Sequence, residues 1–538
     1  MITLTYRHKY TDYTITASDD RVTWKETSEQ GRKRVQVTAN CPITLLSVSE
    51  SLFHPIGKDD RILANGYQSW TETKEFLRNE RLNDLDLLPK SLVKRFAFKA
   101  YGSQSFTPMD RTATLSFDYM MLYGENPLFI GSHNYRNAFL LIRVFREDNR
   151  VLLVSDVRGK RLQANEPFTV LDYTLSEDAE NAKKAYFDGF KPLTTRKLFG
   201  YTSWYNHYQN ISEEIIEKAL DHADKRFDLF QIDDGFEPFV GDWMETDLQK
   251  FPGGLNRIVN MIHGKGMLAG IWLAPFVAER KSSLVVSHPE YIKHNEKGEP
   301  IIAGSNWSSF CPLDLDNDDA VEYIRSVLRQ YVSLGFDFFK LDFLYAACLS
   351  RKRGYTRAET AEFAYGILRE ELKGKMILGC GATLSSGFER FDYMRIGPDV
   401  SLKFDDEPYM RLFHPERIST KVTLCNTIFR RDLNGRAFGN DPDVFLLRDD
   451  NIKLSKAQRY ALTIINALFG SLLMTSDDPS EYDAEKAAIL DKALDLNRNA
   501  ENITAERKKN RIEISYTLRG TEHFFRYDMK KGIISDER

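Results

Sequence analysis

The hydrophobic positions along this chain change their period twice. Up to about residue 180, apolar side chains alternate with polar ones in short runs, as at Ile2-Leu4-Tyr6, Tyr13-Ile15-Ala17, Val35-Val37 and Leu115-Phe117-Tyr119. Further apolar runs lie at 139–144 and 151–154. Alternation sends successive side chains to opposite faces of a strand, so many short strands broken by turn residues predict a large β-sandwich. From about Arg196 the pattern becomes short apolar runs alternating with segments of helical period. The runs end at Trp204, Asp233, Pro275, Asp342, Cys380, Ile396, Asp441 and Ser476, and helical patterns cover 211–227, 254–265, 318–334, 357–373 and 454–469. Eight strand–helix alternations, the seventh strand weak, predict a (β/α)8 TIM barrel. No G-x-G-x-x-G follows any strand, which counts against a doubly wound open sheet. After Glu481, a helical stretch at 484–496 leads back to alternation at Ile512-Ile514-Tyr516. The expected organisation is therefore multidomain: an N-terminal β-sandwich at 1–185, a catalytic (β/α)8 barrel at 186–480 and a small C-terminal β-domain at 481–538.

Length and composition agree with several domains. The chain has 538 residues, too many for one simple core. A net charge of −4 gives no electrostatic case for nucleic acid or an anionic membrane. No apolar run is long enough to span a bilayer, and the first residues lack the basic and apolar regions of a secretory signal. The five cysteines, Cys41, Cys311, Cys348, Cys380 and Cys425, are odd in number and scattered, with no C-x-x-C pair. That predicts a reduced, cytoplasmic protein with neither a disulfide framework nor a zinc site. Nothing in the sequence sets the oligomeric state.

Chemistry concentrates at the ends of the predicted barrel strands, where active sites of such barrels are built. The run at 335–344, G-F-D-F-F-K-L-D-F-L, reads as a buried strand, yet it carries Lys340 and Asp342 two residues apart on one face. Other strand ends supply Trp204 and Tyr205, Asp233 and Asp234, Trp272, Cys380, and Arg395 with Asp399. Each also has a purely structural reading. Lys340 and Asp342 make an ion pair, Asp233-Asp234-Gly235 a capped turn, Trp272 barrel core, Cys380 inert core and Asp399 a turn residue after Pro398. Taken together, carboxylates, bases and aromatics on one rim suit glycoside hydrolysis, which needs a carboxylate nucleophile or base and a carboxylic acid. Lys340 is expected to hold Asp342 ionised, Asp233 and Asp234 to accept sugar hydroxyls, and aromatic rings to cover a pyranose face. No H-E-x-x-H, G-x-x-x-x-G-K-[ST] or G-x-S-x-G pattern is present, which counts against metalloprotease, nucleotide hydrolase and lipase chemistry.

The stretches N-G-Y-Q-S-W, F-Q-I-D-D-G-F-E, G-I-W-L-A-P-F, F-F-K-L-D-F-L-Y-A, I-L-G-C-G, M-R-I-G-P-D-V and N-D-P-D run in this order between about residues 65 and 443. As a set, the sequence resembles glycoside hydrolase family 36, the bacterial α-galactosidases. The resemblance implies a retaining enzyme without metal or organic cofactor, acting on small α-galactosides of the melibiose or raffinose type. It implies Asp342 as nucleophile and Asp399 as general acid/base. It further implies Trp70, Trp204, Tyr205, Asp233, Asp234, Trp272, Lys340, Cys380 and Arg395 as substrate-binding residues, with Trp70 lent to the site by the sandwich. The residues after G-C-G, Ala382-Thr383-Leu384-Ser385-Ser386, and the segment S-L-K-F-D-D-E-P after Asp399–Val400 depart from the family pattern. Both fall on loops expected to shape the aglycone side. Two other readings stand beside this one: a different glycon, such as α-N-acetylgalactosaminide, and a non-catalytic sugar-binding protein, which the presence of both Asp342 and Asp399 disfavours.

Overall fold

A computed structural model describes residues 1–223 and 225–538. The N-terminal region forms two antiparallel seven-stranded sheets. One is built around strands Ile2–His8, Ile43–Phe53 and Leu140–Phe145, the other around Arg32–Ala39, Pro167–Ser176 and Leu128–Ser132. Leu4, Tyr6, Leu45 and Val48 from the first sheet pack against Val35, Val37, Ile130 and Leu171 from the second, which is a sandwich core. Leu115-Phe117-Tyr119 is not one alternating strand. Asp118, at φ 61°, breaks it into Ala113–Phe117 and Tyr119–Tyr123, which lie in different sheets. All of Ala113–Phe117 is buried, because its outer face is covered by the rest of the protein. The helix Ala179–Asp188 packs on the second sheet, so residue 185 falls inside an element of the sandwich rather than between domains.

The central sheet is wholly parallel. We label its strands β1 (Leu198–Thr202), β2 (Leu229–Ile232), β3 (Leu268–Leu273), β4 (Phe338–Leu341), β5 (Met376–Gly379), β6 (Tyr393–Arg395), β7 (Gly439–Asp441 and Val444–Phe445) and β8 (Leu472–Thr475). Each pairs with the next and β8 pairs with β1, the two halves of β7 forming the ends of the ladder, so the sheet curls into a barrel-like ring. Pro442 cannot donate to a ladder and divides β7 in two: Gly439–Asp441 pairs with β6, and Val444–Phe445 with β8. This is the physical reason the seventh strand reads weakly in the sequence.

Helices follow most strands where the period places them, at Glu213–His222, Gly254–Gly264, Asp318–Ser333, Arg357–Glu371 and Lys456–Phe469. The first is shorter than its apolar pattern. Ser212 caps its start, its side chain accepting from the Ile215 N–H, and the chain leaves the helix at Ala223. Capping boxes at Thr356/Glu359 and Ser455/Gln458 fix two other starts.

The alternation fails after β5. Only a 3-10 turn, Leu384–Gly387, lies between β5 and β6. The sandwich covers this side instead: Gln68 bridges Thr383, the Ser385 hydroxyl donates to Asp118, and Tyr135 and Phe190 pack on Phe388 at 5.3 and 4.6 Å. The helix Ala484–Asn499 packs on Lys456–Phe469 as part of the barrel's outer layer, so it does not belong to the C-terminal β-unit. That unit is a four-stranded antiparallel sheet, Ala500–Lys508 to Ile533–Ser535, whose Ile512, Ile514, Phe525 and Tyr527 join the barrel's apolar core. Among the described residues, no helix is long and apolar enough to cross a membrane.

Candidate active site

The C-terminal ends of the strands bring most of the expected residues into one buried network. Lys340, on β4, sits 2.8 Å from Asp233 Oδ2 at the end of β2, with both side chains almost fully buried. This corrects the expectation that Lys340 pairs with Asp342. Inside the curled sheet the lysine reaches across β3 to the end of β2 instead. Burial works against the Lys340 charge, but Asp233, aided by Asp342, holds its pKa above the ordinary lysine range. Asp233 Oδ2 also accepts from Gln231 Nε2 at 2.7 Å and Thr202 Oγ1 at 3.2 Å. Among the described residues its Oδ1 takes only the Asp234 N–H, at 3.0 Å, and so keeps capacity for a further donor.

Asp342, just past the end of β4, is oriented by two N–H donors. Trp272 Nε1 reaches Oδ2 at 3.1 Å, and the Phe343 N–H reaches Oδ1 at 2.7 Å. Trp272 is thus both buried aromatic wall and hydrogen-bond donor, its ring edge-on to Trp243 at 5.7 Å and Trp307 at 6.2 Å. Phe343 has φ 53°, a strained value for an aromatic residue, which turns the chain so that Asp342 faces inward.

Asp399 follows β6 through I-G-P. Arg395 Nη1 donates to its Oδ1 at 2.9 Å. About 35% of its side-chain surface remains accessible, and protein crowds the rest. Burial raises its pKa above the usual carboxylate range. Arg395 and Lys340 oppose the rise, while Asp342 and Asp233 add to it. The expected repulsion between carboxylates is present, but desolvation is the larger cause. Cys380 lies in the field of the same charges, and burial pushes its thiol far above its ordinary pKa, so it is a neutral wall.

Asp234 faces a second group of partners. It accepts from Trp307 Nε1 at 3.0 Å and Gln209 Nε2 at 3.1 Å, and burial raises its pKa despite these donors. Glu237 shares this environment and is raised well above its usual range by burial and by Asp234.

Trp70 arrives from the sandwich. Its ring stands edge-on to Phe343 at 5.6 Å and Tyr345 at 5.7 Å, directly after Asp342, and to Tyr101 at 6.1 Å. Its loop is clamped by the fully buried Arg430, which donates to Ser69 O at 2.6 Å, Gln68 O at 3.1 Å and Gly66 O at 3.3 Å. Among the described residues, the buried Trp70 Nε1 finds no acceptor.

Tyr205 and Trp204 share the short helix Trp204–His207 after β1. Tyr205 turns into the network and donates its hydroxyl to Asp443. Trp204 stays half-buried, edge-on to Tyr208 at 5.2 Å, and among the described residues its indole makes no bond to the carboxylates. A cleft of about 420 Å³ opens on the other side of this turn, lined by Asn206, His207, Lys218, Arg448 and Asp477; the carboxylates above do not line it.

Several residues of the network were not assigned from the sequence. Asp441 and Asp443 stood in N-D-P-D and Glu237 in D-D-G-F-E, so a signal for them existed. Trp307 lies in the 274–317 excursion after β3, where nothing in the local sequence marks it.

Residues 182–367, which include β1 to β4, match the family model described as Melibiase. The match covers the first half of the barrel. Over 98 residues the chain is 32% identical to alpha-galactosidase 1 of Pediococcus pentosaceus, a match to 17% of this chain and 13% of that protein. Over 127 residues it is 31% identical to an A type blood alpha-D-galactosamine galactosaminidase of Flavonifractor plautii, matching 21% of this chain and 11% of that one. The matches thus span a small fraction of these relatives' length. A solved α-galactosidase from Thermus thermophilus, in complex with stachyose, superposes with a TM-score of 0.70 at 26% identity, covering 88% of this chain and 99% of that one. The similarity therefore extends beyond the barrel.

Proposed function

We propose that the protein is a retaining α-galactosidase that releases terminal α-D-galactose from small α-galactosides by double displacement. The observation that carries this reading is the presence of two carboxyls with different surroundings on one rim, at the ends of β4 and β6. Asp342 is oriented by Trp272 and Phe343 N–H donors, while burial raises the pKa of Asp399 above the usual carboxylate range. In this reading Asp342 attacks the anomeric carbon as Asp399 protonates the leaving oxygen, and Asp399 then takes a proton from the incoming water. Asp233, Asp234, Lys340, Trp272, Cys380, Arg395 and Trp70 line the galactose, and Trp204 and Tyr205 the adjoining wall. The sandwich ends after Asp188, and the barrel includes the helix to Asn499. Five free cysteines support a reducing, cytoplasmic setting.

The test uses azide and an activated α-galactosyl fluoride. Asp342→Gly should lose nearly all turnover and yield β-galactosyl azide, since azide enters from the side the nucleophile left. Asp399→Ala should still form the covalent intermediate and yield α-galactosyl azide. The same anomer from both variants, or an active Asp342→Gly enzyme without azide, would overturn the assignment. The similarity to a galactosaminidase favours one second reading, an α-galactosamine glycon. Nitrophenyl α-galactoside and its 2-acetamido and 2-amino analogues, compared by kcat/KM, decide between them.

A further inference from the structure

Three carboxylates converge on one guanidinium. Arg395 reaches Asp399 Oδ1 at 2.9 Å, Asp441 Oδ2 at 2.7 Å and Asp443 Oδ1 at 2.9 Å, all with the arginine fully enclosed. Asp441 is its cross-strand neighbour in the β6–β7 ladder, so that contact follows from sheet register. Asp443 is different. It sits at φ 71°, immediately after the proline that breaks β7, and this strained turn aims its carboxylate back into the site. Its Oδ2 accepts the Tyr205 hydroxyl from the turn after β1 and the Val400 N–H at 2.7 Å from the loop that carries Asp399. Among the described residues, helix Lys456–Phe469 contributes only the uncharged Asn466, at the Asp443 backbone carbonyl. The groups facing Asp443 are therefore Arg395, Asp399, Asp441 and Tyr205.

We propose that Asp443 is a positioning residue for the proton donor, sharing Arg395 with Asp399 so that Asp399 is protonated before bond cleavage and able to take a proton afterwards. This rests on the reading of Asp399 as acid/base. Glycosylation breaks the bond from C1 to the leaving oxygen and forms the Asp342–C1 ester. The leaving oxygen takes the Asp399 proton. Negative charge thus moves from Asp342 to Asp399, next to Arg395. Deglycosylation reverses it: water bonds to C1, its proton goes to Asp399, and Asp342 leaves as carboxylate. A guanidinium serving Asp399 alone would hold it ionised and make it a poor acid. Asp441 and Asp443 divide that positive charge, and Asp443 adds repulsion through the same arginine. Burial raises the Asp443 pKa to about 7, with Arg395 opposing the rise and Asp399 and Asp441 adding to it.

The test is the alkaline limb of kcat/KM. Asp443→Asn keeps a side chain tolerant of the left-handed turn and removes the charge. Arg395 then acts on fewer carboxylates, Asp399 loses its proton more readily, and the limb should move to lower pH by about one unit. The loss should be larger for α-galactosides with poor leaving groups than for an activated fluoride. Tyr205→Phe withdraws the hydroxyl that stabilises ionised Asp443, and should move the limb the same way with the turn intact. A purely structural role would lower activity evenly across pH and leaving group. In Asp399→Ala the alkaline limb should vanish. If it persists there, the acid/base reading fails. If it vanishes there while Asp443→Asn and Tyr205→Phe both leave the limb in place, the role of Asp443 is overturned and that of Asp399 stands. Should the asparagine variant not fold, Tyr205→Phe decides alone.

Discussion

The contribution of Trp70 can be worked out from its contacts. Three aromatic neighbours, Tyr101, Phe343 and Tyr345, meet its ring edge-on, and its buried N–H has no acceptor among the described residues. The ring stands directly after the nucleophile candidate, yet it belongs to another unit of the protein. Two substitutions separate its functions. Trp70→Phe keeps an aromatic wall, smaller by one fused ring, and deletes the donor. If that donor is used by a galactoside hydroxyl, kcat/KM should fall by about 0.5–1.5 kcal/mol, roughly two- to twelvefold. Trp70→Ala also removes the ring and should bring the total loss to about 1–3 kcal/mol, with part of it in KM. The alanine variant gives up three edge contacts, each worth about 0.5–1.5 kcal/mol, so its melting temperature should drop while that of the phenylalanine variant stays close to the parent. The assay is nitrophenyl α-galactoside hydrolysis beside a thermal melt by circular dichroism. If both variants keep the parent kcat/KM, Trp70 is packing alone and the sandwich lends nothing to the site.

Two further outcomes follow from the seam between sandwich and barrel. Glu416 accepts from the Thr71 hydroxyl at 2.9 Å, and burial raises its pKa from 4.5 to about 7. The folded state then binds more protons than the unfolded one between those values, so stability should fall as pH rises from about 4.5 to about 7 and then level off. Glu416→Gln should match the parent at pH 4.5 and exceed it at pH 8 by up to about 3 kcal/mol in urea unfolding; a difference independent of pH would count against this. Arg430, with no carboxylate partner among the described residues, donates to carbonyls of the Trp70 loop and to Ile396 O at 2.6 Å. Arg430→Met should cost at least about 3 kcal/mol of stability and lower kcat/KM along with Trp70→Ala; an unchanged urea midpoint would refute the clamp.

The sequence by itself determined the order of elements and where the chemistry would fall. Periods of two and of three to four residues reflect which faces each element must bury, so sandwich strands, barrel strands and most helices were legible locally. Strand ends were legible for the same reason: apolar runs stop where side chains enter the pocket, which put Asp233, Asp342, Asp399 and Arg395 on one rim. Partnership was not legible. Lys340 and Asp342 share a strand face, yet closing the sheet places Asp233 nearer the ammonium, and no local pattern contains that distance. The missing helix after β5 was hidden too, because its place is taken by residues far earlier in the chain, such as Gln68, Asp118 and Tyr135. Trp307 reaches Asp234 only through the 274–317 excursion, and Asp443 enters the site only because Pro442 breaks a strand at a point where the barrel needs two different neighbours. Burial faces are written residue by residue. Charge partners, and with them the protonation of each carboxyl, exist only once the ring of strands is closed.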